Sequence, residues 1–261
     1  MSNFNVFIQI YHQLKSYLAF FLLVVFISAC HSSTNEPLET VQNDFVFSPH
    51  KIWAHRVNSL EKLEKTHEIF EGMEIDLIYS ESINNLYVAH SDADTLKNIL
   101  LEDWIKHIPN PEKNWYWFDM KNLTKKNAEQ IGTLFVNILN QYGIFNKVIC
   151  EGRSVKALLP LKNKGLAVSY WIKSDIVFRK IFGDAIWKRS IERDIKKLKP
   201  NALSSFDWMH PVLDTSFPNE NILYWLTSAE DAPENLEYAK KLCNLPNVKV
   251  VLVDYEEPIA Y

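Results

Sequence analysis

The chain has 261 residues, enough for one large domain or two small ones, with a sizeable core. Apolar residues make up 47% and charged residues 23%, the balance of a globular protein rather than a disordered one. A formal net charge of −4 argues against a nucleic-acid partner, which usually requires a basic face.

The first segment stands apart. After Lys15 comes an uncharged apolar run ending in Ile27-Ser28-Ala29-Cys30. It is too short to cross a ~30 Å hydrocarbon core but suits the apolar region of a secretory signal. The closing tetrapeptide resembles a bacterial lipobox. That resemblance implies lipidation of Cys30, export, and a membrane-anchored lipoprotein of the bacterial envelope. His31 rather than Asp follows the cysteine, so the outer membrane is the expected destination. The alternative is an uncleaved anchor helix. Residues 1–30 are therefore expected to be a signal peptide and 31–48 a polar tether, with a folded domain over 49–261.

Beyond the tether, strand-like and helix-like runs alternate. Strands are expected over Lys51–Val57, Met73–Ser80, Trp115–Lys121, Lys147–Glu151, Leu166–Ile172, Ala202–Phe206, Ile222–Thr227 and Val248–Asp254. Helices are expected over Leu60–Phe70, Thr95–His107, Lys125–Tyr142, Val155–Asn163, Ile186–Leu198 and Glu234–Leu245. Their apolar residues recur at three- and four-residue intervals, as in Ile131, Leu134, Phe135, Ile138 and Leu139. A short hairpin arm, Leu86–His90, should fold back on the second strand. Eight strands with interposed helices predict α/β architecture, a (β/α)8 TIM barrel near the fold's usual ~250 residues. Only Tyr255–Tyr261 follow the last strand, so a regular final helix is not expected. An open doubly wound sheet is the alternative, but no Gly-rich phosphate loop follows any strand. Cys150 and Cys243 are expected as two buried thiols; a bridge is the alternative.

The chemistry-bearing residues fall at strand ends. Glu74 and Asp76 are two apart on one strand, so they share a face, about 7 Å apart along the backbone. Asp119 and Lys121 repeat the pattern on the next long strand. Three hard oxygen donors without cysteine favour Mg2+ or Ca2+ over zinc or copper. His55 ends the first strand and His90 the hairpin arm, which suits an acid–base pair. Arg56 and Lys121 supply fixed positive charge for the non-bridging oxygens of a phosphate. His55 and Arg56 are adjacent, so both can face one pocket only if the chain turns there. Trp225 and Glu151, at two further strand ends, are candidates for lining the pocket.

Together these residues resemble the phospholipase-C-like phosphodiesterase superfamily of TIM barrels, in particular the glycerophosphodiester phosphodiesterases. The positions are His55-Arg56, Glu74-Ile75-Asp76, His90 and Asp119-Met120-Lys121. The Pro-Glu-Asn-Thr motif expected after His-Arg is replaced by Val57-Asn58-Ser59, and Asp119 stands where that family usually has Glu. His90 and Asp119 also lie too close for the family's usual inserted subdomain. The runs His55-Arg56-Val57-Asn58 and Phe118-Asp119-Met120-Lys121 are instead similar to the sphingomyelinase D branch, whose metal ligands are Glu, Asp and Asp. The resemblance implies a metal-dependent phosphoric diester hydrolase or lyase acting on a glycerophosphodiester or a phospholipid headgroup. Glu74, Asp76 and Asp119 would hold the metal, while His55 and His90 would be catalytic. Arg56, Lys121, Trp225 and Glu151 would meet the substrate. The rival expectation is a non-catalytic envelope lipoprotein that keeps the barrel as a ligand-binding site.

Overall fold

In this computed structural model, residues 45–91, 99–227 and 233–255 are described. The signal peptide, Cys30 and most of the tether lie outside them, as do residues 256–261, where a closing helix would fall.

The strands are β1 (Ile52–Ala54), β2 (Gly72–Ser80), β3 (Asn85–Val88), β4 (Trp115–Met120), β5 (Val148–Gly152), β6 (Ala167–Trp171), β7 (Ala202–Phe206), β8 (Ile222–Trp225) and β9 (Val248–Val253). All but β3 run parallel in the order β1-β9-β8-β7-β6-β5-β4-β2, and a β1–β2 pairing closes the ring. The eight-stranded barrel expected from the sequence is thus present. Parallel strands in a barrel are covered on both faces, and β2 shows the consequence: Gly72 through Tyr79 are all buried. The short strand β3 is the antiparallel arm on β2, with Leu77 opposite Val88 and Ser80 opposite Asn85.

Helices cover the outside: α1 (Leu60–Thr66), α2 (Leu101–Lys106), α3 (Ala128–Gln141), α4 (Val155–Asn163), α5 (Ile176–Phe182), α6 (Asp184–Leu198), α7 (His210–Ser216) and α8 (Pro233–Cys243). Ser59 caps α1 by accepting from the Lys62 amide. On α3 the buried residues Ile131, Phe135, Ile138 and Leu139 form the predicted apolar stripe against the sheet. Helices α5 and α7 were not anticipated. α7 begins at His210-Pro211, where proline at the first turn suits a helix start.

The barrel interior has its own apolar filling, built from Trp53, Trp117, Ile149, Leu223, Val250 and their neighbours. Trp53 lies across β2 at Gly72, where any Cβ would overlap the indole ring. Phe45 and Phe47 pack against this filling, and the Trp115 indole donates to the Val46 carbonyl at 2.8 Å. Residues 45–48 therefore belong to the barrel rather than to the expected tether, because two aromatic side chains bury apolar surface there. Cys150 and Cys243 are free thiols, the first buried as expected and the second only partly so.

Candidate active site

Strand register brings the acids together. Asp76 on β2 is the partner of Asp119 on β4, which is in turn the partner of Glu151 on β5. Paired residues point to the same side of a sheet, so all three face the barrel interior, with Glu74 one step below on β2. Oxygens of Glu74, Asp76 and Asp119 lie within 4.8 Å of one another. Ligands on opposite sides of one Mg2+ or Ca2+ ion stand roughly 4–5 Å apart, so this cluster has the spacing and the hard donors such an ion requires.

The loop after β1 locks the cluster from above. Arg56 adopts a left-handed backbone (φ 53°), unusual for a residue with a Cβ, and this supplies the turn at His55-Arg56. The turn lets the Arg56 amide donate to Glu74 Oε2 at 2.7 Å. Two residues on, Asn58 grips Asp76 twice: its Nδ2 donates to Asp76 Oδ2 at 2.6 Å, and its Oδ1 accepts from the Asp76 amide at 2.9 Å. Asn58 has no assigned role in the sequence reading, although it lies in the His-Arg-Val-Asn run. Asp76 also forms an ion pair with Lys121 Nζ at 2.6 Å, and Lys121 bridges to Asp119. The ammonium expected to face a phosphate is therefore directed mainly at the two carboxylates.

Each histidine is held by an acid through Nδ1. His55 Nδ1 lies 2.9 Å from Asp254 Oδ1, and His90 Nδ1 lies 2.9 Å from Asp76 Oδ2. An ionised carboxylate only accepts, so each Nδ1 carries the hydrogen and each Nε2 is left free for proton transfer. His55 is buried, and its Nε2 stands 3.8 Å from Glu74 Oε2. His90 is exposed at the mouth. Asp254 lies just beyond β9, in Val253-Asp254-Tyr255, and is not among the site residues expected from the sequence.

Burial sets the charge states. It pushes the Glu74 carboxyl well above its usual range, and the Asp76 and Asp119 charges push it further. Burial likewise raises Asp119 despite Lys121, and raises Glu151 strongly, with Asp119 adding to it. Asp76 goes the other way: burial opposes ionisation, but Lys121 and the bonds from Asn58 and His90 hold the carboxyl low. For Asp254, too, burial opposes ionisation, but the His55 bond together with the His55, Lys62 and Arg56 charges holds the carboxyl low. Lys121 is held above its ordinary value because Asp119 and Asp76 outweigh its own burial. Acids with split affinities for protons in one cavity are the arrangement expected of a working site.

The cavity encloses roughly 180 Å³ and is lined by His55, Arg56, His90, Lys121, Glu151 and Trp225, among others. The candidate active-site residues expected from the sequence thus lie together: all line this cavity except Asp76, which is fully buried and joins it through the acidic cluster. Arg153, Trp171 and Phe206 join them unannounced. Arg153 sits over the Trp171 ring at 3.8 Å, and Trp171, Phe206 and Trp225 form one aromatic wall with centroids 4.9–6.2 Å apart. The alternation Ala167, Ser169, Trp171 on β6 could have placed Trp171 inside.

No family model matches the chain, and no curated protein matches it in sequence. Among solved structures it is similar to a glycerophosphodiester phosphodiesterase from Parabacteroides distasonis, at 17% identity and a TM-score of 0.57. That match covers 78% of this chain and 92% of the other. It is also similar to one from Thermotoga maritima, at 16% identity and a TM-score of 0.52, covering 78% and 95%. The chain has the fold of these phosphodiesterases. Its cavity opens at the carboxyl ends of the barrel strands, the face where such barrels place their chemistry.

Proposed function

We propose that this protein is a metal-dependent phosphodiesterase acting on a glycerophosphodiester or a phospholipid headgroup. The observation that carries the reading is the acidic cluster, Glu74, Asp76 and Asp119, in one cavity with two carboxylate-anchored histidines. The fold shared with glycerophosphodiester phosphodiesterases supports it.

The three acids would hold Mg2+ or Ca2+, which when bound would offset phosphate charge and the charge that develops in the transition state. His55, fixed through Asp254, presents Nε2 as the base that takes the proton of the attacking hydroxyl. That hydroxyl belongs to water or to the substrate itself; the second case releases a cyclic phosphate. His90, at the open mouth, gives a proton to the departing oxygen. Arg56 and Arg153 are the cations left to meet non-bridging oxygens while Lys121 balances Asp76 and Asp119. The aromatic wall excludes water from one side of the reacting centre.

The test is hydrolysis of bis(p-nitrophenyl) phosphate and of lysophospholipids, with and without EDTA, with products read by mass spectrometry. Turnover that EDTA abolishes and added Mg2+ or Ca2+ restores is expected. No turnover on either substrate, with no divalent ion bound, would sink the proposal.

The sequence around Cys30 supports a companion proposal, that an acylated Cys30 anchors the barrel to the outer membrane of a bacterial envelope. A lipid mass on a mature N-terminal Cys30 is expected. An unmodified chain beginning at Met1 would exclude it.

A further inference from the structure

A second cavity adjoins the first, and the two share Trp171 and Phe206 as a common wall. It is wider, roughly 750 Å³, and its lining is mainly apolar: Ile176, Val177, Phe178, Ile181 and Phe182 of α5 against Trp171 and Phe206. Helix α5 buries none of its residues. Val177 is 71% exposed and Ile181 66%. Trp208, stacked on Phe206 with centroids 5.7 Å apart, extends the apolar surface. A contiguous apolar surface beside a cleft marks a binding surface more often than an accident of folding.

Position and charge narrow the occupant. A small polar headgroup needs only the inner cavity. The outer groove begins where the inner one ends, and Arg153 stands over Trp171 at that junction while Lys173 lines the groove. A cationic, acid-lined cavity for a phosphate and an apolar groove continuous with it fit one amphiphile better than two separate ligands. We infer that the groove between α5 and the Trp171–Phe206 wall seats the hydrocarbon chain of a single-tailed lipid phosphodiester whose phosphate lies in the inner cavity. The inference rests on the reading of that cavity as the phosphate site. Substrate choice would then be made by α5 and not by the acids. A phosphodiester with no tail would bind without the gain from burying apolar area.

The test is a chain-length series. The full chain, held in a fixed concentration of a maltoside detergent, is titrated with alkylphosphocholines of four, six, eight and ten carbons. Binding is read by tryptophan fluorescence. Each methylene that enters the groove is expected to tighten binding about two- to fourfold. Val177→Asp, a change at a largely exposed position, and Ile181→Asp should flatten that dependence; circular dichroism checks that both variants fold. A wild-type affinity independent of chain length overturns the inference, whether because the groove is filled by the chain's own apolar N-terminal residues or by a second copy. So does a dependence that both folded variants retain. The measurement needs no turnover: chain-length-dependent binding alongside a failed EDTA-controlled hydrolysis test would sink the catalytic reading and leave the groove standing.

Discussion

The lower and upper halves of the barrel interior are made by the same strands, two residues apart, yet their chemistry is opposite. On β4, Trp117 belongs to the apolar filling and Asp119 to the acidic cluster; on β5, Ile149 and Glu151 divide in the same way. On β2 the step runs from Gly72, bare under Trp53, to Glu74. A period of two keeps both members of each pair pointing inward. The difference shows what each half does for the other. The lower half buries aromatic and aliphatic area, which stabilises the fold and keeps water out from below. The upper half places carboxylates where burial opposes their charge, which destabilises the fold unless an ion, a lysine or a proton compensates. Nothing in the packing demands those acids, so their presence argues for chemistry.

The largest effect should come from the histidines of the upper half. His55→Ala removes an imidazole that is both buried in the cavity and held by Asp254. It should lower kcat on bis(p-nitrophenyl) phosphate by about 10²–10⁴-fold, the range of a lost general base. His90→Ala should act through the leaving group, so its cost should be smaller for p-nitrophenolate, which needs little protonation, than for an alkyl ester. Wild-type rates in both variants would remove the acid–base pair from the site.

Divalent ions should then separate the halves by pH. Glu74 and Asp119 are both raised by burial, Glu74 from an ordinary 4.5 and Asp119 from 3.8. A carboxyl whose folded affinity for protons is raised contributes stability that is full below its ordinary value and is lost as pH rises through the folded one. The metal-free protein should therefore lose stability through these groups on going from about pH 5 to pH 8. Mg2+ or Ca2+ needs the ionised acids, so the rise in Tm that it produces should be larger at the higher pH. The gain approaches roughly 2.7 kcal/mol at a hundred times Kd. A Tm shift equal at both pH values would break the link between the acids and the ion.

The lower half is probed by Gly72→Ala. The added methyl meets the Trp53 ring, a rigid neighbour held by the bond from its indole nitrogen to the His50 carbonyl at 2.8 Å. Overpacking of this kind costs about 1–3 kcal/mol. In a chain of this size that lowers Tm by roughly 2–4 °C per kcal/mol. An unchanged Tm would mean that the filling is looser than its geometry implies.

The sequence carried the barrel well because alternating strands and amphipathic helices leave a periodic signal, and it pointed to the residues of the candidate site because acids at the ends of apolar strands are conspicuous. What it hid was of three kinds. The Asp254 partner of His55 is a contact between residues 199 positions apart, and no local pattern announces it. The turn that lets His55 and Arg56 share a cavity depends on a left-handed arginine, with no glycine to mark it. Helix α5 has no buried face, so its apolar residues follow no period that could be matched to a core. The first two are tertiary facts; the third reflects a helix whose apolar residues serve the surface.

The smallest and most discriminating change is Glu151→Gln, at the boundary between the halves. Glu151 is buried and in register with Asp119. Its carboxyl is raised well above the usual range, by burial first and by the Asp119 charge second. The amide keeps the shape and removes the charge. By the same linkage sign, the variant should match the wild type near pH 4–5 and become the more stable of the two as pH rises. The difference should grow by about 1.4 kcal/mol for each pH unit over which the carboxyl stays protonated in the folded chain and is ionised in the unfolded one. The measurement is Tm against pH, paired with kcat/KM on the same samples. A more stable protein with reduced kcat/KM would place Glu151 with the upper half, as an acid kept at the expense of stability. If stability rises and activity does not change, Glu151 belongs with Ile149 below it, and the functional layer begins only beyond β5, at Arg153.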